Sequence, residues 1–230
     1  MEIINLDKLY PKKNKIKVNE LAPEQPFRML MIGSSNSGKT NVLIDLLLRY
    51  LVYDKLYIYT KHIHQDKYKI LKKVIDSIEE NEDLKNYADF PIATFADDIK
   101  NVVPLEEMDK DKDNIIVFDD FVTEKNQNKI IDMFIRGRHK NASVIYLSQS
   151  YFSTPRDIRI NCNQFLLFGS ANNRDINMVL GDHCSDMDRD QFRRLYDEAT
   201  NEPFSFFYID KTAMNKSLKF RKKFDEIIYT

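Results

Sequence analysis

Residues 33–40 read GSSNSGKT, and this stretch decides the fold. Two glycines separated by four residues and followed by Lys and Thr form the pattern of a loop that binds the phosphates of a nucleoside triphosphate. Residues 27–32 (FRMLMI) before it are apolar enough for a buried strand, and residues 41–51 (NVLIDLLLRYL) after it have a helical pattern. The motif requires a strand, a glycine loop and a helix in this order, so the sequence predicts nucleotide binding.

The loop residues have distinct expected roles. The glycines let the backbone turn tightly and direct successive N–H groups at the β-phosphate. Lys39 is expected to reach the β- and γ-phosphate oxygens, and the Thr40 hydroxyl is expected to ligate Mg²⁺. The alternative is a Gly/Ser turn that only precedes a helix. The predicted nucleotide-binding residues are Gly33, Ser34, Ser35, Asn36, Ser37, Gly38, Lys39 and Thr40.

Two acids, Asp119 and Asp120, end the apolar run 115–118 (IIVF). In phosphate-loop proteins an aspartate at the end of a central strand holds Mg²⁺, and an acidic neighbour can polarise the attacking water. We therefore predict Asp119 as a catalytic residue that ligates the metal and Asp120 as the catalytic carboxylate that polarises the attacking water; the alternative is a turn at a strand end. Residues 119–122 are DDFV rather than Asp-x-x-Gly, and no Asn-Lys-x-Asp occurs in the chain, which argues against a GTPase.

Gln149 follows the predicted strand 142–147 (ASVIYL). A polar side chain at the tip of a strand beside the phosphate loop can hydrogen-bond the γ-phosphate or the attacking water. We predict this catalytic role for Gln149, with an ordinary polar residue at a strand end as the alternative.

An arginine in the segment 136–140 (RGRHK) could reach the nucleotide of a neighbouring subunit and neutralise charge in the transition state. We favour Arg138 over Arg136 for this role, and Arg159 is a third candidate. The alternative is a solvated basic helix end, which suits the helix dipole.

Histidine and cysteine residues give no metal-ligand spacing. His62 and His64 have no third ligand nearby in the sequence, so we interpret them as surface histidines. The two cysteines, Cys162 and Cys184, are expected to be reduced thiols of an intracellular protein.

Composition indicates an ordinary globular chain of one domain. Of its 230 residues, 43% are hydrophobic, and 35 Lys and Arg stand against 36 Asp and Glu, which excludes a uniformly basic coat for nucleic acid. No apolar run approaches the ~20 residues of a membrane span, so we expect no membrane partner. We predict an N-terminal arm over residues 1–26, a phosphate-loop ATPase domain over 27–210, and a basic C-terminal tail over 211–230 that packs on the domain or extends from it.

Strands and helices alternate along the predicted domain. We expect an α/β fold of three layers (RecA-like, additional-strand type) with a mainly parallel central sheet and helices on both faces. Helix 66–80 is expected to bury one face through Ile70, Val74 and Ile78. The other predicted strands are 55–59, 91–95, 114–118, 165–168 and 203–209, and the other predicted helices are 126–135, 172–180 and 189–199.

Taken together, these motifs resemble those of the FtsK/HerA superfamily of DNA-pumping ATPases. Within it, the chain is most similar to the genome-packaging ATPases of large DNA viruses and virophages, the poxvirus type, over residues 26–210. The similar stretches are GSSNSGKT (33–40), IIVFDD (115–120), RGRHK (136–140) and VIYLSQS (144–150). Many relatives have Asp-Glu at the acid pair, whereas Asp120 is one methylene shorter.

The resemblance implies a motor that hydrolyses ATP with Mg²⁺ at subunit interfaces and translocates double-stranded DNA into a capsid. It implies a homo-oligomeric ring, a pentamer or hexamer, with a capsid or portal protein as a further partner. The expected location is the host cytoplasm or virus factory, or the virion. The Lys-rich ends, residues 12–17 and 216–223, could contact DNA phosphates, although charge runs are commonly solvated surface.

Two other functions stay open at this point. A small-molecule or nucleotide kinase would need a mobile lid with several arginines, and Arg189, Arg193 and Arg194 could supply them. A nucleotide-gated scaffold of virus assembly would bind ATP without turnover, although such proteins commonly lack one of Lys39, Thr40 and Asp119.

Overall fold

A computed structural model describes residues 19–81 and 91–228 of the chain. Within these ranges one sheet contains nine strands. The strands are β1 Arg28–Ile32, β2 Lys55–Thr60, β3 Ala93–Ala96, β4 Asn114–Asp119, β5 Ala142–Ser148, β6 Gln164–Phe168, β7 Phe206–Asp210, β8 Phe220–Lys222 and β9 Glu226–Ile227. The α-helices are α1 Lys39–Arg49, α2 Asp66–Glu79, α3 Asn128–Arg136, α4 Arg156–Asn161, α5 Asn173–His183 and α6 Arg189–Ala199.

The strand order is β3-β2-β4-β5-β1-β6-β7-β8-β9. All pairs from β3 to β6 are parallel, and the pairs from β6 to β9 are antiparallel. Every residue of β4 and β5 is buried, as expected for parallel strands covered on both faces. The predicted α/β fold with a mainly parallel sheet is therefore confirmed, and β5 lies between β1 and β4.

Helices cover both faces of the sheet because side chains of each strand alternate between two hydrophobic cores. Leu43, Leu46 and Leu47 of α1 pack on one face together with α2. Helices α3 to α6 pack on the other face, where Phe134 and Phe192 are at most 1% exposed. This arrangement confirms the three layers.

The buried face of α2 differs from the prediction. Its buried residues are Tyr68, Leu71 and Ile75, whereas Ile70 is 58% exposed. The sequence of α2 has apolar residues at helical spacing on two faces. The prediction that the face with Ile70, Val74 and Ile78 is buried was wrong. The stripe that packs includes Tyr68, whose hydroxyl has a partner on β4.

Several boundaries also differ. Helix α4 was not predicted, and the strand predicted over 203–209 begins only at Phe206. The preceding residues form a turn, in which the Ser205 N–H donates to the Glu202 carbonyl at 3.2 Å. Across the two described ranges, no helix is long and apolar enough to cross a bilayer.

Strands β8 and β9 belong to the segment 211–230 that was predicted as a basic tail. Arg221 is 3% exposed and donates to the carbonyl oxygens of Leu21 and Phe224 at 2.7 Å each. Lys222 is also buried, so these two cations are unavailable as DNA contacts. The domain boundaries themselves stay a prediction, and residues 1–18, which include the Lys-rich segment 12–17, lie outside the described residues.

Candidate active site

The phosphate loop connects β1 to α1, and its two glycines are required by geometry. A Cβ on Gly33 would lie 2.6 Å from Ser37 Oγ and 2.8 Å from Phe168 Cβ. Gly38 has φ of 103°, in the left-handed region that side chains disfavour. The loop is tied to the sheet, because the Gly33 N–H donates to the Ser148 carbonyl at 3.2 Å.

Lys39 is the first residue of α1, and its side chain turns back over the loop. Its ammonium group donates to the carbonyl oxygens of Gly33 at 2.6 Å and Ser34 at 2.8 Å. Burial lowers the pKa of Lys39, and the charges of Asp119 and Asp120 oppose this effect. The cation is therefore held at the loop and shares its electrostatic environment with the acid pair.

Asp119 is the last residue of β4 and lies at the same edge of the sheet as the loop. On the two sides of β5, Asp119 pairs with Leu147 and Ile32 pairs with Ser148. In sheets of this kind, ligands bind beyond the carboxyl ends of the strands. The sheet therefore brings the metal ligand predicted on β4 to the same edge as the phosphate loop.

The Asp119 carboxylate is 9% exposed and accepts a hydrogen bond of 2.7 Å from the Tyr68 hydroxyl. Burial raises the pKa of Asp119, and Asp120 raises it further. The Tyr68 hydrogen bond, Lys39 and His62 lower it. A carboxylate oxygen of Asp119 and the Thr40 hydroxyl in the first turn of α1 are hard oxygen ligands of the kind that Mg²⁺ prefers. The residues present therefore fit that ion.

Asp120 follows β4 in the left-handed conformation, with φ of 63°. Its Oδ2 lies 2.7 Å from Nε2 of His62, which follows β2. Asp tolerates this backbone conformation better than most residues. The turn directs the second carboxylate away from Tyr68 and towards His62.

Gln149 directly follows β5 and is exposed. Because β5 lies between β1 and β4, Gln149 stands between the phosphate loop and the acid pair along the edge of the sheet. The loop, Asp119, Asp120 and Gln149 thus occupy one edge.

The three arginine candidates have different surroundings. Arg138 lies in the short 3-10 helix Gly137–Lys140 just before β5, at the opposite edge of the sheet, so it cannot approach the loop of its own subunit. It is exposed and has no ion pair with a described residue. Arg136 pairs with Asp132, and Arg159 is 12% exposed with its Nη1 at 3.6 Å from Asp182 Oδ2.

Sequence reasoning missed two contacts of the acid pair. Tyr68 was not singled out, and His62 was interpreted only as a surface residue. Both follow β2 in the chain, and β2 pairs with β4 in parallel register. A polar residue just after the strand that neighbours the acidic strand is the signal that could have indicated His62, whereas Tyr68 lies on α2 and had no such signal.

Comparisons with known proteins point to one family. The family described as "Poxvirus A32 protein" matches residues 13–192. The DNA packaging protein OPG160 of Vaccinia virus (strain Copenhagen) is 27% identical over 177 residues, which cover 75% of this chain and 62% of that protein. The Variola virus protein of the same name is 28% identical over 160 residues, covering 68% and 58%. The chain therefore spans about three fifths of these relatives.

A solved structure has the same fold. The genome packaging NTPase B204 from Sulfolobus turreted icosahedral virus 2, in complex with AMPPCP, superposes with a TM-score of 0.55 at 11% identity. The match covers 84% of this chain and 96% of B204. At this identity the likeness shows the fold alone.

Proposed function

The chain belongs to the poxvirus A32 protein family, and we propose that it is an ATP-hydrolysing motor that translocates double-stranded DNA and packages a viral genome into a capsid. One observation carries the proposal: the Lys39 loop and the Asp119–Asp120 pair share one edge of a sheet in which β5 separates their strands. The names of the poxvirus relatives as DNA packaging proteins support the coupling to DNA.

The proposed chemistry uses each part of the site. Backbone N–H groups of residues 33–38 and the Lys39 ammonium bind the phosphates. Thr40 and Asp119 would hold Mg²⁺, which would neutralise phosphate charge when bound. Asp120 accepts a proton from the attacking water, and Gln149 orients that water. His62 holds the Asp120 carboxylate at 2.7 Å and limits the directions in which it can turn.

The proposed motor is a homo-oligomeric ring, a pentamer or hexamer, because its arginine must come from a neighbour. Arg138 lies at the edge of the sheet opposite to its own loop and is exposed, which suits contact with another subunit. Arg136 and Arg159 both have carboxylate partners. The proposal also includes a capsid or portal protein as a binding partner. The proposed location is the host cytoplasm, the virus factory or the virion.

The kinase alternative is less well supported by the fold. Its candidate lid arginines, Arg189, Arg193 and Arg194, lie on α6, whose Phe192 and Leu195 are at most 4% exposed in the core. A helix anchored in this way is not a mobile lid. Hydrolysis therefore remains the favoured reaction over transfer to an acceptor.

The test is steady-state ATPase activity with and without duplex DNA, together with the mass of the assembly. We expect Mg²⁺-dependent phosphate release that duplex DNA stimulates in a ring, and no turnover by Lys39→Ala or Asp119→Asn. Asp45→Asn is the control, since Asp45 is a partly exposed residue of α1 that pairs only with Arg49 among the described residues. Transfer of phosphate to an acceptor, or nucleotide binding without turnover in the presence of DNA, would overturn the proposal.

A further inference from the structure

An aromatic side chain lies directly beside the phosphate loop. A Cβ on Gly38 would be 2.8 Å from Cδ1 of Phe204, so the ring lies against the last glycine of the loop. Phe204 comes from the turn between α6 and β7, far from the loop in the sequence. It is nevertheless 60% exposed.

The backbone of Phe204 is strained. Its φ of 62° lies in the left-handed region, where a bulky residue is an outlier. Residues 202–205 form a four-residue turn, and Phe204 is its third residue. The hydrogen bond from the Ser205 N–H to the Glu202 carbonyl closes the turn. A positive φ at that position ordinarily calls for glycine. Strain of this kind persists where the surroundings enforce it, and it concentrates at ligand sites.

The surroundings do enforce the turn. Ser205 is 2% exposed, and its hydroxyl donates to the Glu202 carbonyl at 2.7 Å. The Glu202 carboxylate accepts hydrogen bonds from Lys222 at 2.7 Å and from Lys223 at 3.2 Å. Lys222 belongs to β8, so the turn is tied to the sheet and the ring is presented from a fixed support.

We propose that Phe204 is the platform on which the base of the bound nucleoside triphosphate stacks. The inference rests on the proposed function, because it places the phosphates in the loop at Gly38. The base is joined to those phosphates through a ribose, so it comes within reach of the Phe204 phenyl group. That group contacts the loop and leaves most of its surface uncovered. Aromatic rings bind bases through stacking, which does not depend on the identity of the base.

A contact with a neighbouring subunit is the other use of an exposed aromatic residue. A subunit contact would not explain why the Phe204 phenyl group lies against Gly38. A ligand bound in the loop would lie next to that group. The position against the loop, the strained backbone and the ion pairs that hold the turn together favour the ligand over a protein surface.

The experiment separates the base from the phosphates. Equilibrium binding of a non-hydrolysable ATP analogue and of inorganic tripolyphosphate, which has no base, is measured for the full chain and its variants. We expect Phe204→Ala to weaken binding of the ATP analogue by about 5- to 150-fold, the range that stacking of one base contributes. Binding of tripolyphosphate should be unchanged, and Phe204→Trp should retain binding of the analogue.

Two controls keep the result interpretable. Phe204→Gly removes the ring and also relieves the left-handed strain, so it should melt no lower than the wild type while losing the same affinity for the analogue. Met214→Ala removes an apolar side chain that is 99% exposed and should leave binding of both ligands unchanged.

The outcomes that overturn the platform differ from those that overturn the function. Wild-type affinity of Phe204→Ala for the ATP analogue would overturn the platform and leave the proposed function standing. If Phe204→Ala no longer forms the oligomer but keeps the wild-type affinity for the ATP analogue, Phe204 belongs to a subunit contact instead. A wild-type protein that binds neither ligand would overturn the proposed function itself.

Discussion

The hydroxyl of Tyr68 donates a hydrogen bond of 2.7 Å to Oδ2 of Asp119, and Tyr68 is only 1% exposed. The contact joins α2 to the end of β4 beneath the predicted Mg²⁺ position. A buried carboxylate is unfavourable unless it is hydrogen-bonded. The Tyr68 hydroxyl therefore lowers the free energy of keeping Asp119 ionised, and Tyr68 lies on the face of α2 that packs against the sheet.

Replacing Tyr68 by Phe should destabilise the protein at neutral pH. The change removes the only described hydroxyl donor to Asp119 and leaves a buried carboxylate oxygen without it. We expect the free energy of unfolding to fall by about 1–3 kcal/mol. Urea denaturation at pH 7 measures the change, with Tyr57→Phe on β2 as control, for which about 0.5 kcal/mol or less is expected. Equal stability of Tyr68→Phe and the wild type would contradict the structural role of this bond.

Replacing Asp120 by Asn should separate catalysis from binding. Asn tolerates the left-handed backbone at φ of 63° and can still contact His62, so the fold should be retained. It cannot accept a proton from water, and we expect turnover to fall by about 10²- to 10⁴-fold with nucleotide affinity unchanged. Asp120→Ala should show the same loss together with about 1 kcal/mol lower stability. Wild-type turnover by Asp120→Asn would remove Asp120 from the reaction.

Arg138→Ala should stop hydrolysis in assembled rings while sparing nucleotide binding. An arginine that acts on a neighbour contributes about 10³- to 10⁵-fold to turnover. Arg136→Ala is the matched control, because Arg136 is exposed and its pair with Asp132 should contribute less than about 1 kcal/mol to stability. Phosphate release and assembly mass are measured together.

Mixing inactive variants tests whether Arg138 acts between subunits. An Arg138→Ala subunit has an intact loop, and a Lys39→Ala subunit has an intact arginine. Oligomers that contain both variants should recover activity at interfaces where a subunit with Lys39 meets a neighbour with Arg138. Normal hydrolysis by Arg138→Ala alone, or no recovery in mixed rings of the correct mass, would show that the assignment is wrong.

His183 should make stability fall as the pH falls. Its Nδ1 lies 3.1 Å from the Lys211 ammonium and its Nε2 lies 2.8 Å from the Tyr151 hydroxyl. Burial and then the Lys211 charge lower the pKa of His183 from 6.5 to about 4. Below pH 6.5 the unfolded chain therefore binds more protons at this histidine than the folded chain does. The contribution of neutral His183 to the free energy of unfolding is lost as the pH falls from about 6.5 to 4.

The measurement compares the free energy of unfolding at pH 7 and pH 4.5. His183→Gln should reduce the loss between these conditions by about 2 kcal/mol relative to the wild type, because Gln does not titrate. His64→Gln, at an exposed position, is the matched control. An unchanged pH dependence in His183→Gln would mean that the fold does not favour the neutral form of this partly buried histidine.

Much of the fold could be predicted because its signals are local. The run 115–118 is apolar throughout and the run 142–147 contains one polar residue, Ser143, so both have the near-continuous apolar character of a strand covered on both faces. The loop at 33–40 was identified from the types and spacing of its residues and from the strand and helix patterns that flank it, all of which lie within a few positions of one another. The antiparallel strands β8 and β9 lacked such a signal, because their charged residues resemble a solvated tail until Asp210 and Glu202 pair with them.

The sequence by itself determined the phosphate loop, the acidic strand end and the alternation of strands and helices, because each depends on residues within a few positions of one another. Only the tertiary structure decided that Tyr68 contacts Asp119, that His62 contacts Asp120 and that Phe204 lies on Gly38. These contacts join distant parts of the chain, and they exist because the order of strands in the sheet brings the loops at its carboxyl edge together. Periodicity along a chain does not specify that order.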